Sequence, residues 1–147
     1  MKKLIVLVIL FSPIFILLMG MKNNSFKKES QTQPGLQKSI IAGKKVFKKY
    51  CISCHQADGR GVPYMNPPLI KTSYVLGDKE KLVNIVLNGL KNVDIDDQTY
   101  NNPMPALGTV LKDQQIADVL TYVRNSFGNK ASAITAAEVK EVKSKKK

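Results

Sequence analysis

The chain is 147 residues long, enough for one small domain plus extensions. Its two cysteines cannot supply a multi-disulfide framework, and its formal net charge of +12 raises the question of nucleic-acid binding. The charge is uneven: residues 1–50 carry ten lysines and one acid, residues 51–130 carry eight basic and eight acidic side chains, and residues 131–147 carry five lysines and two glutamates. A neutral body with basic extensions, few interleaved aromatics and an export-type start excludes a nucleic-acid role. The lysines suit anionic lipid or an acidic partner, and Lys143 to Lys147 suit a solvated tail.

Lys2 and Lys3 precede an apolar run over residues 4–19, broken only by Ser12 and Pro13. Residues 1–21 therefore form a signal peptide or an N-terminal membrane anchor. No small-x-small cleavage pattern stands near Gly20, and the run is at the short limit for a spanning helix, so both options stay open. Lys2 and Lys3 would keep an anchored N-terminus cytoplasmic. Either option puts the domain on the outer, periplasmic side of the inner membrane. Residues 22–38 are polar and contain Pro34 and Gly35, as expected of a flexible linker.

The domain is predicted to span residues 39–130. Ser39 is a good N-cap, and Ile40, Gly43, Phe47 and Tyr50 share one face at helical spacing, with Lys44, Lys45, Lys48 and Lys49 on the others. This helix delivers Cys51-Ile52-Ser53-Cys54-His55, the Cys-x-x-Cys-His pattern of covalent c-type haem attachment. Two thiols at this spacing can each add to one vinyl group of the porphyrin, and the adjoining imidazole of His55 can bind the iron. A disulfide here would close too small a loop to stabilise much. A redox dithiol would need a βαβ setting, and zinc would need about four ligands where the motif offers three.

Gly59, Gly61, Pro63, Pro67 and Pro68 make residues 59–68 a loop. A second helix runs from the cap Asp78 through Leu82, Ile85 and Val86 to Asn88-Gly89. Residues 91–110 are irregular. A third helix covers about 113–126 with Ile116, Val119, Leu120 and Val123 on its apolar face, and Asp113 is a better cap than Lys112. Residues 131–147 form a basic tail. In it, Thr135-Ala136-Ala137-Glu138 has capping-box spacing for a short helix that would be marginal alone. No internal repeat or strand alternation is visible, so the fold class is all-α: three main helices with loops wrapped around one covalent haem.

His55 is the only histidine, so a second axial ligand within the chain must be of another type, and methionine is the natural one. Met1, Met19 and Met21 lie in or beside the export segment. Of the rest, Met104 sits between Pro103 and Pro105 in a stiffened loop, whereas Met65 is only ten residues beyond His55 on the histidine side. Met104 is therefore the expected second ligand, against a plain core role. A ligating imidazole is oriented by a partner for its other nitrogen, and the carbonyl of Pro67 is a candidate. Arg60 is a candidate neighbour for a haem propionate.

These features together resemble the class I cytochromes c, particularly the small bacterial monohaem type, over about residues 39–127. The resemblance rests on Gly43 and Phe47, the Cys51 to His55 motif, residues 59–63, Pro67-Pro68-Leu69, Pro103-Met104-Pro105, Ile116 and Tyr122-Val123-Arg124. It implies that the first and last helices cross closely at Gly43, with Phe47 packed near Leu120 and Tyr122. It also implies Pro67 as the partner of His55, Met104 as a ligand, and one covalent haem c with iron. Two departures are the missing tryptophan, a propionate partner in some members, and the basic tail. The expected role is single-electron transfer between periplasmic or membrane redox partners, with no substrate bond broken and hence no enzyme. The alternatives are a tightly docked electron-transfer subunit of a periplasmic dehydrogenase or reductase, and a catalytic or sensory protein with open iron. The motif's early position and a methionine 49 residues beyond His55 count against open iron.

Overall fold

A computed structural model describes residues 33–145. The export or anchor segment, residues 22–32 of the expected linker, and the last two lysines lie outside the described residues. No helix among the described residues is long and apolar enough to cross a membrane.

The first helix, α1 (Gln33–Tyr50), begins six residues before the predicted cap, inside the segment expected to be linker. Pro34 is compatible with a first turn, whose N–H groups have no helical partner. Ser39 is not a cap. It is buried, and its hydroxyl donates to Asp118 Oδ1 at 2.6 Å. A one-turn helix α2 (Ile52–His55) follows, then α3 (Ser73–Leu76) and α4 (Lys79–Asn88). Asp78 caps α4 through a bond from Lys81 N–H at 2.7 Å, and Gly89 at φ +78° ends it, both as expected.

The region predicted to be irregular contains a small antiparallel hairpin, β1 (Val93–Ile95) and β2 (Gln98–Tyr100), in register Val93 with Tyr100 and Ile95 with Gln98. Its two-residue turn, Asp96-Asp97, has φ of +50° and +64°, the backbone that matches strand twist in tight hairpins. Three residues per strand are too few for alternation to show. The last long helix, α5 (Asp113–Arg124), has Lys112 rather than Asp113 at its cap position, where Gln115 Oε1 accepts from the Lys112 N–H at 3.0 Å.

Helices α1 and α5 cross at Gly43. A β-carbon there would lie 2.0 Å from the Asp118 carbonyl oxygen, so only glycine allows this approach. One turn along, Phe47 meets Tyr122 and Phe127, with ring centroids 5.4 and 5.5 Å away. The core continues through Val83, Ile116, Leu120 and Val123.

The basic tail is part of this core. Thr121 Oγ1 donates to the Ile134 carbonyl (3.1 Å) and accepts its N–H (2.9 Å). Helix α6 (Ala136–Ser144) opens with the expected capping box, Thr135 with Glu138, and buries Val139 and Val142. Tertiary burial supplies what a short helix lacks alone. Two of the lysines expected to be solvated are paired: Lys143 with Asp113, and Lys145 with Glu80 (2.7 Å) and Glu141 (3.3 Å). The pairing, Glu80 foremost, holds the Lys145 ammonium above its usual range.

Candidate functional site

The haem motif grows out of α1. Cys51 N–H donates to Phe47 O at 2.9 Å, continuing the helical ladder, and His55 N–H donates to Cys51 O at 2.9 Å. The chain then reverses at Gln56, whose φ is +63°, and returns beside His55: Gly61 N–H donates to the His55 carbonyl at 3.0 Å. Gly61 is required there, because a β-carbon would fall 2.2 Å from Asn66 O and 2.6 Å from Pro67 O. The close passage brings the Pro67 carbonyl to 3.0 Å from His55 Nδ1. A carbonyl only accepts, so Nδ1 carries the proton and donates, leaving Nε2 with a free lone pair. Burial lowers the imidazole pKa, partly opposed by this bond, so the ring is neutral and able to ligate. The two cysteines form no disulfide. Burial, and secondarily Cys54, pushes the Cys51 thiol up to about 11.

Met104 is fixed from two sides. It forms an isolated bridge with Leu90, accepting from Leu90 N–H at 3.1 Å and donating to Leu90 O at 2.8 Å. Gly89 makes room for it, since a β-carbon there would lie 2.5 Å from Met104 O. On the other side, Asn101 and Asn102 N–H donate to Tyr64 and Met65 carbonyls, both at 3.2 Å, and Asn102 Nδ2 donates to Asn66 Oδ1 at 2.7 Å. The stiffness expected from the flanking prolines is thus completed by long-range hydrogen bonds. Met65 itself is 52% exposed.

Cys51, His55, Pro67 and Met104 line both of two adjoining cavities, with empty volumes of about 710 and 750 Å³; Cys54 lines the second. The first is walled by apolar side chains of the core, Phe47, Leu82, Ile85, Val86 and Leu120 among them. The second adds the polar groups of Tyr50, Asn66, Tyr100 and Asn102. An apolar slot with a polar end, a neutral imidazole, a thioether and two thiols fits the expected haem. Among the described residues no group of three or more His, Cys, Asp and Glu side chains is placed to hold a metal ion by itself, so Cys51, Cys54 and His55 lack the further ligands a zinc site would use.

Arg60 is not at this site. It pairs with Asp58 at 3.2 Å, and its side chain is 77% exposed. Three further groups position the slot without having been expected at the site, Arg124 having entered the sequence analysis only through the family resemblance. Asn129 is buried, accepts from Lys71 N–H (2.8 Å), and donates to Leu69 O (2.7 Å) and Val123 O (2.8 Å), so it pins the loop after Pro68 to α5. Arg124 is 3% exposed and donates to the carbonyls of Val75 (2.6 Å), Gly77 (3.3 Å) and Ser132 (2.9 Å). Burial lowers its pKa, with Glu138 opposing. The hairpin turns Val93, Ile95 and Tyr100 toward the cavities.

A family model described as cytochrome c matches residues 40–127. The chain belongs to the cytochrome c family. Its cofactor is one covalent haem c with iron. The chain is 32% identical over 122 residues to cytochrome c-552 of Thermus thermophilus, covering 76% of this chain and 81% of that one. It is 35% identical over 105 residues to the cytochrome c subunit of alcohol dehydrogenase (quinone) of Gluconacetobacter polyoxogenes, and 33% identical over 119 residues to the gluconate 2-dehydrogenase cytochrome c subunit of Pantoea cypripedii. These two alignments cover 70% and 78% of this cytochrome, but it spans only 22% and 27% of those subunits.

Proposed function

We propose that this cytochrome is a single-electron carrier whose iron is closed by two protein ligands. Cys51 and Cys54 would hold the porphyrin through thioether bonds, and His55 Nε2 and the Met104 sulfur would ligate the iron. The observation that carries this reading is that His55 and Met104, 49 residues apart, line the same slot, each held by backbone bonds. Bound haem c supplies a ferrous–ferric couple. The Pro67 carbonyl fixes the imidazole tautomer and raises its basicity. The apolar wall of Phe47, Leu82, Val86 and Leu120 keeps water out and disfavours the more charged ferric state, and the thioether does the same, so the potential is raised. Held by both ligands, the iron would offer no site for a small molecule, and no substrate bond would be broken.

The deciding experiment is the optical spectrum of the haem-loaded protein, oxidised and reduced, beside Met104→Ala. Wild type should show the weak long-wavelength band of ferric iron bound to thioether sulfur. The variant should lose it and bind carbon monoxide when reduced. A wild type that lacks the band and binds carbon monoxide readily would turn the reading toward ligand binding or catalysis.

The site works on the periplasmic side of the inner membrane, exported through residues 1–21 and exchanging electrons with protein redox partners. A tightly docked subunit is the second reading, favoured by the dehydrogenase subunits among the relatives. N-terminal sequencing of the mature protein separates the two: recovery of Met1 counts against a freely diffusing carrier.

A further inference from the structure

Four lysines and one isoleucine share the outer side of α1. At about 100° per residue, Lys38, Lys44, Lys45 and Lys48 fall within an arc of about 120°, with Ile41 at its centre. The opposite side is buried, with Ser39, Gly43 and Phe47 against Asp118 and Tyr122 of α5. All four lysines are exposed, and Ile41 is 53% exposed. Helix α1 contains no acidic residue, and among the described residues none of the four lysines pairs with a carboxylate. Lys79, Lys143 and Lys145, by contrast, all meet acids.

Two observations bear on what this face meets. An electron partner must come near the haem, yet the arc lies on the side of α1 turned away from Phe47, which lines the first cavity. A face turned from the cofactor suits a contact that holds the protein rather than one that takes its electron. The second observation is where α1 starts. Residues 20–32 separate Gln33 from the apolar run ending at Met19, and even fully extended they reach only about 45 Å. That stretch adds Lys22, Lys27 and Lys28 against the single acid Glu29. Positive charge thus continues along the sequence from the apolar run into α1. Lysines around an exposed apolar side chain are the composition of a helix face that lies on an anionic bilayer. There the ammonium groups meet phosphates, and the apolar group enters the headgroup boundary.

We infer that the outer face of α1 docks on the anionic lipid surface of the membrane, laying α1 along the bilayer and leaving the haem slot to redox partners. This rests on export to the periplasmic side as proposed above. Each lysine adds an attraction that falls off within a Debye length, so docking is strong at low salt and lost at high salt. Where residues 1–21 stay attached, they keep α1 near the surface; where they are removed, the lysine face alone does so.

The test is amine-reactive labelling of the haem-loaded protein, read lysine by lysine in a mass spectrometer, on vesicles of phosphatidylglycerol and of phosphatidylcholine. On phosphatidylglycerol, Lys38, Lys44, Lys45 and Lys48 should label about fivefold or more slowly than on phosphatidylcholine. The protection should vanish in about 0.5 M salt. Lys91 and Lys130, exposed outside α1, should label alike on both lipids. Lys44→Gln combined with Lys48→Gln changes only exposed positions. It should bring Lys45 on phosphatidylglycerol to within about twofold of its rate on phosphatidylcholine. Four lysines that label alike on both lipids overturn the inference, as does protection shared equally by Lys91 and Lys130. Equal or stronger protection by polyglutamate, at the same concentration of anionic groups, overturns it in favour of an acidic protein. Cell fractionation tests the export reading separately. Haem-loaded protein in the cytoplasm overturns that reading and this docking with it, whereas exported protein with unprotected lysines overturns only the docking.

Discussion

Replacing Gly43 by alanine sets two effects against each other. In a helix interior the change is favourable by about 1 kcal/mol on intrinsic propensity. In this fold the added β-carbon would lie 2.0 Å from Asp118 O, 2.5 Å from its carbonyl carbon and 2.7 Å from Tyr122 Cβ. Overpacking of this kind costs about 1–3 kcal/mol where side chains can adjust. Here the obstacle is the backbone of α5, which no rotamer change relieves, so the upper end applies. The net expectation is destabilisation by roughly 2 kcal/mol or more. For a domain of about a hundred residues that is a fall in Tm of roughly 8–16 °C. Thermal unfolding of the haem-loaded protein, followed by far-ultraviolet circular dichroism, measures it. A variant melting at or above wild type would refute the close crossing, because propensity alone predicts that result.

Val139→Ala removes two methyl groups from a fully buried position on α6. It should cost roughly 2 kcal/mol in a denaturant titration, and a loss within about 0.5 kcal/mol would show that residues 131–145 lie outside the core. Burial pushes the Glu138 carboxyl up, but bonds from Lys79 (2.9 Å) and Thr135 (N–H, 2.7 Å) outweigh it and hold the group below its ordinary 4.5. Its folded pKa is depressed, so its contribution is complete well above pH 4.5 and is lost as pH falls through the lower, folded value. The Tm gap between wild type and Glu138→Gln should therefore narrow on acidification below about pH 4.5; a gap independent of pH would sink this assignment.

Much of the site is local chemistry, and local chemistry is legible in a sequence. The spacing of Cys51, Cys54 and His55, the single histidine, and the two prolines around Met104 constrain the cofactor's place before any fold is known. The caps at Asp78 and Thr135 are also short-range, since each bonds an N–H three residues on. Gly43 and Phe47 pointed to the helix crossing through family resemblance, and the crossing is there.

What the sequence alone could not decide depends on residues brought together from far along the chain. Ser39 has the chemistry of a cap, but a carboxylate 79 residues away gives its hydroxyl a better use inside. The lysine-rich tail looked solvated because charge dominates its composition, yet Ile134, Val139 and Val142 find an apolar seat on α4 and α5. Arg60 sits near the motif in sequence, but the turn that sends Pro67 back to His55 leaves it facing water beside Asp58. Tyr100 carried no signal because its strand is three residues long, and its place at the haem slot follows from a hairpin that only the assembled fold holds there. The sequence determined which thiol, imidazole and thioether groups the chain can offer a haem. The tertiary structure decided which of them share one slot and which side chains wall it, because burial and hydrogen bonding across the chain exist only once the helices have packed.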